Sequence, residues 1–183
     1  MLRSTAWLNH SELTMRAVAV ISPEADVAGT LRKIMSAAKS VYKYPRLNSV
    51  RLIDLPHHHS DDGDLVMVEA GAQVPFVIER VFTIIAPLGA KRGNHAHRRC
   101  IQFLLCTRGA VDIHCDDGRE QRIFTLDRGD QSLLVPPMIW ITINFRETGS
   151  AIIVLCDRHY EPGDYIRDYS EFCSVRESLE SQG

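Results

Sequence analysis

Long apolar runs, a basic excess and paired-cysteine spacings are all missing from these 183 residues, and each absence removes a class of function. No stretch approaches the roughly 20 consecutive apolar residues that a membrane span needs. Residues 1–9 lack the apolar core of a secretory leader, so the chain is read as cytoplasmic. A formal charge of −2 and a pI near 6.4 supply none of the basic surface that general nucleic-acid binding demands. The five cysteines, Cys100, Cys106, Cys115, Cys156 and Cys173, form an odd set without a CxxC, which argues against a zinc ribbon and a disulfide framework. There is no glycine-rich phosphate loop, repeat or low-complexity tract. A bound phosphate must therefore be held by side chains.

What is present is a 45% hydrophobic composition, enough to build a core. The texture changes near Pro45. Before it, Ser22-Pro23-Glu24 is a helix start, with Ser as N-cap and Pro at the first helical position. Val27, Leu31, Ile34, Met35, Ala38 and Val41 follow at helical spacing. Residues 1–45 thus read as an extension carrying one amphipathic helix over about 24–43. After Pro45, strands are expected at 50–55, 65–69, 78–86, 101–107, 111–115, 122–126, 132–135, 139–145 and 151–156, short β-branched runs broken by turn residues. Asp116-Asp117-Gly118 suits the positive φ values of a primed hairpin turn. Asp168–Phe172 is expected to be a short helix. This pattern predicts an all-β fold, an antiparallel sandwich or barrel over 46–175 with a tail from 176 to 183.

His95 and His97 carry the sharpest signal. Residues two apart in a strand project to one face, so the imidazoles go together while Ala96 points away. Gly89, His95, His97 and Gly109 match the spacing of the first cupin motif, G-x5-H-x-H-x4-E-x6-G, with Gln102 at the acidic position. Gly129 and Pro136 fit the second motif, whose histidine is replaced by Ile141. A cupin metal needs two or three imidazoles plus a carboxylate, and two imidazoles alone are a poor set. The expectation is a metal-free pair that moves protons near neutral pH, without a cofactor. Lys91 and Arg92 are candidates for an anionic substrate, and at least one of Arg98 and Arg99 reads as solvated charge. His57-His58-His59 reads as an exposed loop or interface stretch, because three adjacent side chains cannot all face one ligand.

The order Asp62-Gly63-Asp64-Leu65, Glu69, Pro75-Phe76, Arg80-Val81, Arg92-Gly93-Asn94-His95-Ala96-His97, Gln102, Gly109, Pro137-Met138-Ile139-Trp140 and Asp164-Tyr165-Ile166-Arg167-Asp168-Tyr169 resembles the nucleotide-sugar 3,4-ketoisomerases over residues 47–175. The resemblance implies an RmlC-like jelly-roll cupin barrel that acts on dTDP-4-keto-6-deoxyglucose in deoxysugar and O-antigen biosynthesis and pairs as a homodimer. It implies an enediol route in which His95 and His97 move the proton between C3 and C4, with base and acid unassigned and the configuration at C4 open. It also implies a sugar-nucleotide site drawn from Arg80, Thr83, Lys91, Arg92, Asn94, Gln102, Trp140 and Arg167. Asp164 and Arg167 are read as a local ion pair or Arg167 as a contact to the pyrophosphate, and Trp140 and Tyr165 as barrel packing or as a surface for the thymine ring. The chain departs from the family pattern at Asn94 (often Phe), Thr83 (often Tyr) and Ile141 (often His). Those departures keep a non-isomerising sugar-nucleotide-binding cupin in view, and a metal-dependent cupin enzyme is the other alternative.

Overall fold

The computed structural model describes residues 45–181, and the helix expected over 24–43 lies outside them. In chain order the described residues form β1 (Arg51–Asp54), β2 (His57–Ser60), β3 (Gly63–Val66), β4 (Arg80–Ala86), β5 (Lys91–His97), β6 (Gln102–Arg108), β7 (Val111–Asp116), β8 (Gln121–Leu126), β9 (Gln131–Val135), β10 (Trp140–Phe145), β11 (Ser150–Cys156), β12 (Tyr165–Ile166) and α1 (Tyr169–Glu180). Ten strands make two five-stranded sheets, ordered β1-β9-β6-β11-β4 and β12-β5-β10-β7-β8, while β2 and β3 form a separate hairpin. The two sheets close on one core as a jelly-roll barrel of cupin type.

Alternation explains which side chains enter that core. On β10, Ile141, Ile143 and Phe145 are buried while Trp140, Thr142 and Asn144 are half-buried on the other face. The inward set joins Leu104, Val111, Ile113, Leu133 and Val154. The first sheet is covered on its outer face too: Phe103, Leu105, Leu134 and Leu155 pack under Leu55, Val74 and Phe76. The first five residues of β6 are therefore a continuous buried run, as expected for a strand with both faces dry. Burial of an aromatic such as Phe103 contributes about 1.5–3 kcal/mol.

The second sheet is capped at one end by α1. Asp168 accepts a hydrogen bond from the Glu171 amide at 2.8 Å, an N-cap worth about 1 kcal/mol. The helix runs past the expected 168–172 because Phe172, Val175 and Leu179 recur at helical spacing and pack with Ala96, Met138 and Trp140. Two other expectations change. His57–Ser60 is a strand paired with β3 rather than a loop. The β7–β8 connection is longer than a two-residue primed turn: Gly118 has φ 85°, and the Asp117 carboxylate accepts from the amides of Arg119 and Glu120, both at 3.0 Å.

A bulge in β5 sets up the site. Gly93 (φ 80°) and Asn94 (φ 55°) are both left-handed, and the register against β10 shifts between Ile141 and Thr142. A Cβ at Gly93 would lie 2.8 Å from the Ile141 carbonyl oxygen, so glycine is required for close approach as well as for φ. Past the bulge, His95 faces Ile141.

Candidate active site

After the bulge β5 alternates cleanly. Ala96 is fully buried on the α1 side with Ile166 and Phe172, and the two imidazoles point the other way, their ring centroids 4.9 Å apart and nearly perpendicular at 84°. The Gly93 carbonyl lies 2.9 Å from His95 Nδ1. A carbonyl can only accept, so Nδ1 carries the hydrogen and Nε2 of the neutral ring presents a lone pair. His97 Nδ1 donates to Asp164 Oδ2 at 2.8 Å, which fixes the same tautomer. Both Nε2 atoms are buried and have no protein partner among the described residues.

Asp164, 2% exposed, ends a short turn at 162–164 just before β12, which pairs Tyr165 with His97. Its carboxylate also accepts from the amides of Arg99 at 2.8 Å and Cys100 at 3.3 Å. Burial alone would push this carboxyl up, but the hydrogen bonds from His97 and the backbone outweigh it and hold the group below its ordinary value. Burial instead lowers His95 to about 4, against the effect of the Gly93 carbonyl and with small help from His97 and Arg167. At neutral pH the site therefore holds a neutral His95 beside a His97 backed by a carboxylate.

The surroundings are aromatic and cationic. The Tyr165 ring lies 4.3 Å from His97 and 5.0 Å from His95, and the Arg167 guanidinium sits 4.2 Å above it. From β4 in the facing sheet, Arg80 brings Nη2 to 3.3 Å from Cys156 Sγ and its guanidinium to 5.6 Å from the Tyr160 ring, while its buried Nε has no partner. The hydrogen bond from Cys100 outweighs burial and, with Arg80 and Gln102, holds the Cys156 thiol below its ordinary value. Cys100 is pushed up correspondingly.

Of the residues expected from the sequence, His95, His97, Arg80, Gln102 and Arg167 come together, with Gln102 turned to the Cys156 sulfur. Arg92 is exposed, opposite Ile143 at the start of β5. Four others lie elsewhere. Thr83 pairs with Ile153, which packs on the outer cluster, because the phase of β4 turns Arg80 and Phe82 inward. Asn94 is thrown outward by the bulge and accepts from Thr142 Oγ1 at 3.0 Å. Trp140 packs edge-on against Tyr169 at 5.2 Å and beside Phe172 at 5.6 Å, under α1. Lys91 faces an outer groove of about 510 Å³ with His114, Thr142 and Asn144, away from the imidazoles. Arg98 and Arg99 pair with Glu171 and Glu161 on the surface.

Asp164, expected to pair with Arg167, instead accepts from His97, and nothing local in the sequence signalled that partner. The sequence reading also missed Cys156 as the anchor of Arg80. His97, Cys100 and Asp164 place donor atoms within 4.8 Å of one another. The carboxylate of that set already serves His97 and two amides, and the Cys100 thiol serves Cys156.

Comparison with known proteins gives a consistent picture. A family profile described as FdtA: WxcM-like, C-terminal matches residues 48–177. The TDP-4-oxo-6-deoxy-alpha-D-glucose-3,4-oxoisomerase of Aneurinibacillus thermoaerophilus is 34% identical over 124 residues, spanning 66% of this chain and 89% of that protein. The crystal structure of QdtA, a sugar 3,4-ketoisomerase from Thermoanaerobacterium thermosaccharolyticum in complex with TDP, superposes with a TM-score of 0.70 at 28% identity, covering 73% of this chain and 98% of that one. A histidine-to-asparagine variant of the same enzyme, in complex with TDP-4-keto-6-deoxyglucose, superposes with a TM-score of 0.70 at 28% identity over 73% and 97% of the two chains.

Proposed function

The chain belongs to the FdtA family of WxcM-like C-terminal domains, and from that premise we propose that it is a sugar-nucleotide 3,4-ketoisomerase acting on dTDP-4-keto-6-deoxyglucose. The observation that carries this reading is the pair of side-by-side imidazoles with unpartnered, buried Nε2 atoms, one of them backed by the buried carboxylate of Asp164. Moving a carbonyl from C4 to C3 needs a base aligned on the C3 hydrogen and a carrier for the hydroxyl proton.

The two imidazoles differ in what they can do. Asp164 stabilises the positive charge that forms on His97 as it accepts a proton, so His97 is the base at C3. The proton goes to His97 Nε2, the C–H electron pair forms the C3=C4 bond, and the C4 carbonyl electrons move to O4. His95, with its lone pair at Nε2 and weak basicity, takes the O3 proton and passes it to O4 rather than keeping it. The C3 carbonyl then forms and the double-bond electrons take a proton at C4. Nothing is consumed: substrate and product are isomers. We assign Arg80 and the Tyr165 hydroxyl to the developing enolate oxygen and exposed Arg167 to the diphosphate.

We read the enzyme as cytoplasmic and homodimeric. Among the described helices none is long and apolar enough to cross a membrane. The edge strand β4 exposes Val81 (57%) and Ile85 (73%) beside Leu88 (63%), an apolar edge that a second copy would cover. The deciding test is incubation with dTDP-4-keto-6-deoxyglucose followed by NMR. Appearance of a 3-keto sugar supports the reading, and its absence at high protein concentration refutes it. A stoichiometric transition metal in the active protein would favour a metal-dependent cupin instead.

A further inference from the structure

We propose that His97, Cys100 and Asp164 form a binding site for a thiophilic divalent cation of the zinc type, and that filling it switches the isomerase off. The proposal rests on the ketoisomerase reading above and adds an inhibitory metal site.

The three side chains bring an imidazole nitrogen, a thiol sulfur and a carboxylate oxygen within 4.8 Å of one another. All three are buried, at 4%, 1% and 2% exposure. They come from separate parts of the fold: His97 ends β5, Cys100 lies between β5 and β6, and Asp164 closes the turn before β12. Donor atoms around a tetrahedral zinc ion stand about 3.3–3.6 Å apart, so displacements of about 1 Å close the set. These ligands are distinct from those of the cupin motifs. At the motif positions Ile141 offers no donor atom, and Gln102 is turned to the Cys156 sulfur.

The chemistry of the set selects the ion. One sulfur with nitrogen and oxygen suits zinc or cobalt, whereas magnesium and calcium demand oxygen. On binding, the Cys100 thiol gives its proton to solvent. One thiolate and one carboxylate then balance the two positive charges, as a buried site requires. Outer contacts already hold the ligands: Asp164 accepts from the Arg99 and Cys100 amides at 2.8 and 3.3 Å, and Cys156 hydrogen-bonds the Cys100 sulfur. His97 Nε2 is buried without a protein partner among the described residues. Coordination through Nε2 occupies the lone pair assigned to the C3 proton. Coordination through Nδ1 leaves the hydrogen on Nε2 instead. Either way His97 ceases to be a base, so the metal-free protein is the active form.

The test uses the full-length protein stripped of metal by a chelator, with Co²⁺ as the probe and Zn²⁺ as its competitor. One equivalent of Co²⁺ is expected to give the charge-transfer band of a thiolate–cobalt bond, which Zn²⁺ abolishes. Turnover of dTDP-4-keto-6-deoxyglucose is expected to fall by at least about 10²-fold as the site fills, the range for loss of a positioned base, and to return with chelator. In Cys100→Ser, shown folded by circular dichroism, the band disappears. The Zn²⁺ needed for half inhibition, relative to that variant's own metal-free rate, rises by at least about tenfold. X-ray absorption on the zinc-loaded wild-type protein is expected to show one sulfur at about 2.3 Å. A shell of nitrogen and oxygen alone, or a band and an inhibition unchanged in Cys100→Ser, overturns the metal site. A band without inhibition overturns the switch. If the stripped protein forms no 3-keto sugar, the ketoisomerase reading fails, while the band and the sulfur shell still decide the metal site.

Discussion

On β2, His57 and His59 share one side of the strand and both reach Asp64 Oδ1, at 2.9 and 2.7 Å; on β5, His95 and His97 also share a side, and His97 reaches Asp164 Oδ2 at 2.8 Å. The two clusters have the same residue types, the same alternation and nearly the same hydrogen-bond length. They differ in solvent. The His59 and Asp64 side chains are 75% and 58% exposed, whereas those of His97 and Asp164 are 4% and 2% exposed. Water competes for the first pair and screens its charges. In the second, the interactions act in a lower dielectric, and both Nε2 atoms are buried without a protein partner among the described residues. The comparison teaches that histidine spacing nominates a site and burial makes it reactive.

The largest expected break comes from asymmetric substitution. His97→Asn lowers kcat/KM by about 10³-fold, in the range for loss of a positioned base, while His59→Asn leaves it unchanged; steady-state kinetics on both variants checks this. Asp164→Asn should cost about 10²-fold, since an amide can hold the wrong tautomer of His97, whereas Asp64→Asn costs nothing.

The inner pair was legible because period-two alternation is a local rule and because Gly89, His95, His97 and Gly109 keep the spacing of the first cupin motif. Asp164 was not, because it lies 67 residues from His97 and meets it through the β5–β12 pairing. Thr83 was misplaced by one residue of strand phase, which exchanges inside for outside. Asn94 was misplaced because a bulge breaks the alternation that a sequence reading assumes. Trp140 looked like a site residue only while the length of α1, which covers it, was underestimated. The barrel itself followed from many short strands with turn signals, a redundant pattern that survives errors at single boundaries.

Acid sharpens the comparison further. His95 has its folded value lowered to about 4 from 6.5, so the unfolded chain binds more protons between those values, and stability falls as pH drops from 6.5 toward 4. The loss by pH 4.5 is roughly 2 kcal/mol, and His95→Gln should flatten it; urea midpoints at pH 7 and 4.5 give the readout. Asp164, also lowered, adds stability that is present above its unfolded value and lost as pH falls through its folded one. The smallest effect belongs to the outer face: Thr83→Ala should change kcat/KM by less than about two-fold, in keeping with the small effects of surface substitutions.

Proton transfer by His97 is the central step. With dTDP-4-keto-6-deoxyglucose in heavy water, NMR should show the wild-type protein exchanging the C3 hydrogen and forming the 3-keto sugar. His97→Asn should still bind TDP by calorimetry yet leave that hydrogen in place. Full exchange and turnover by the His97→Asn variant would contradict the assignment.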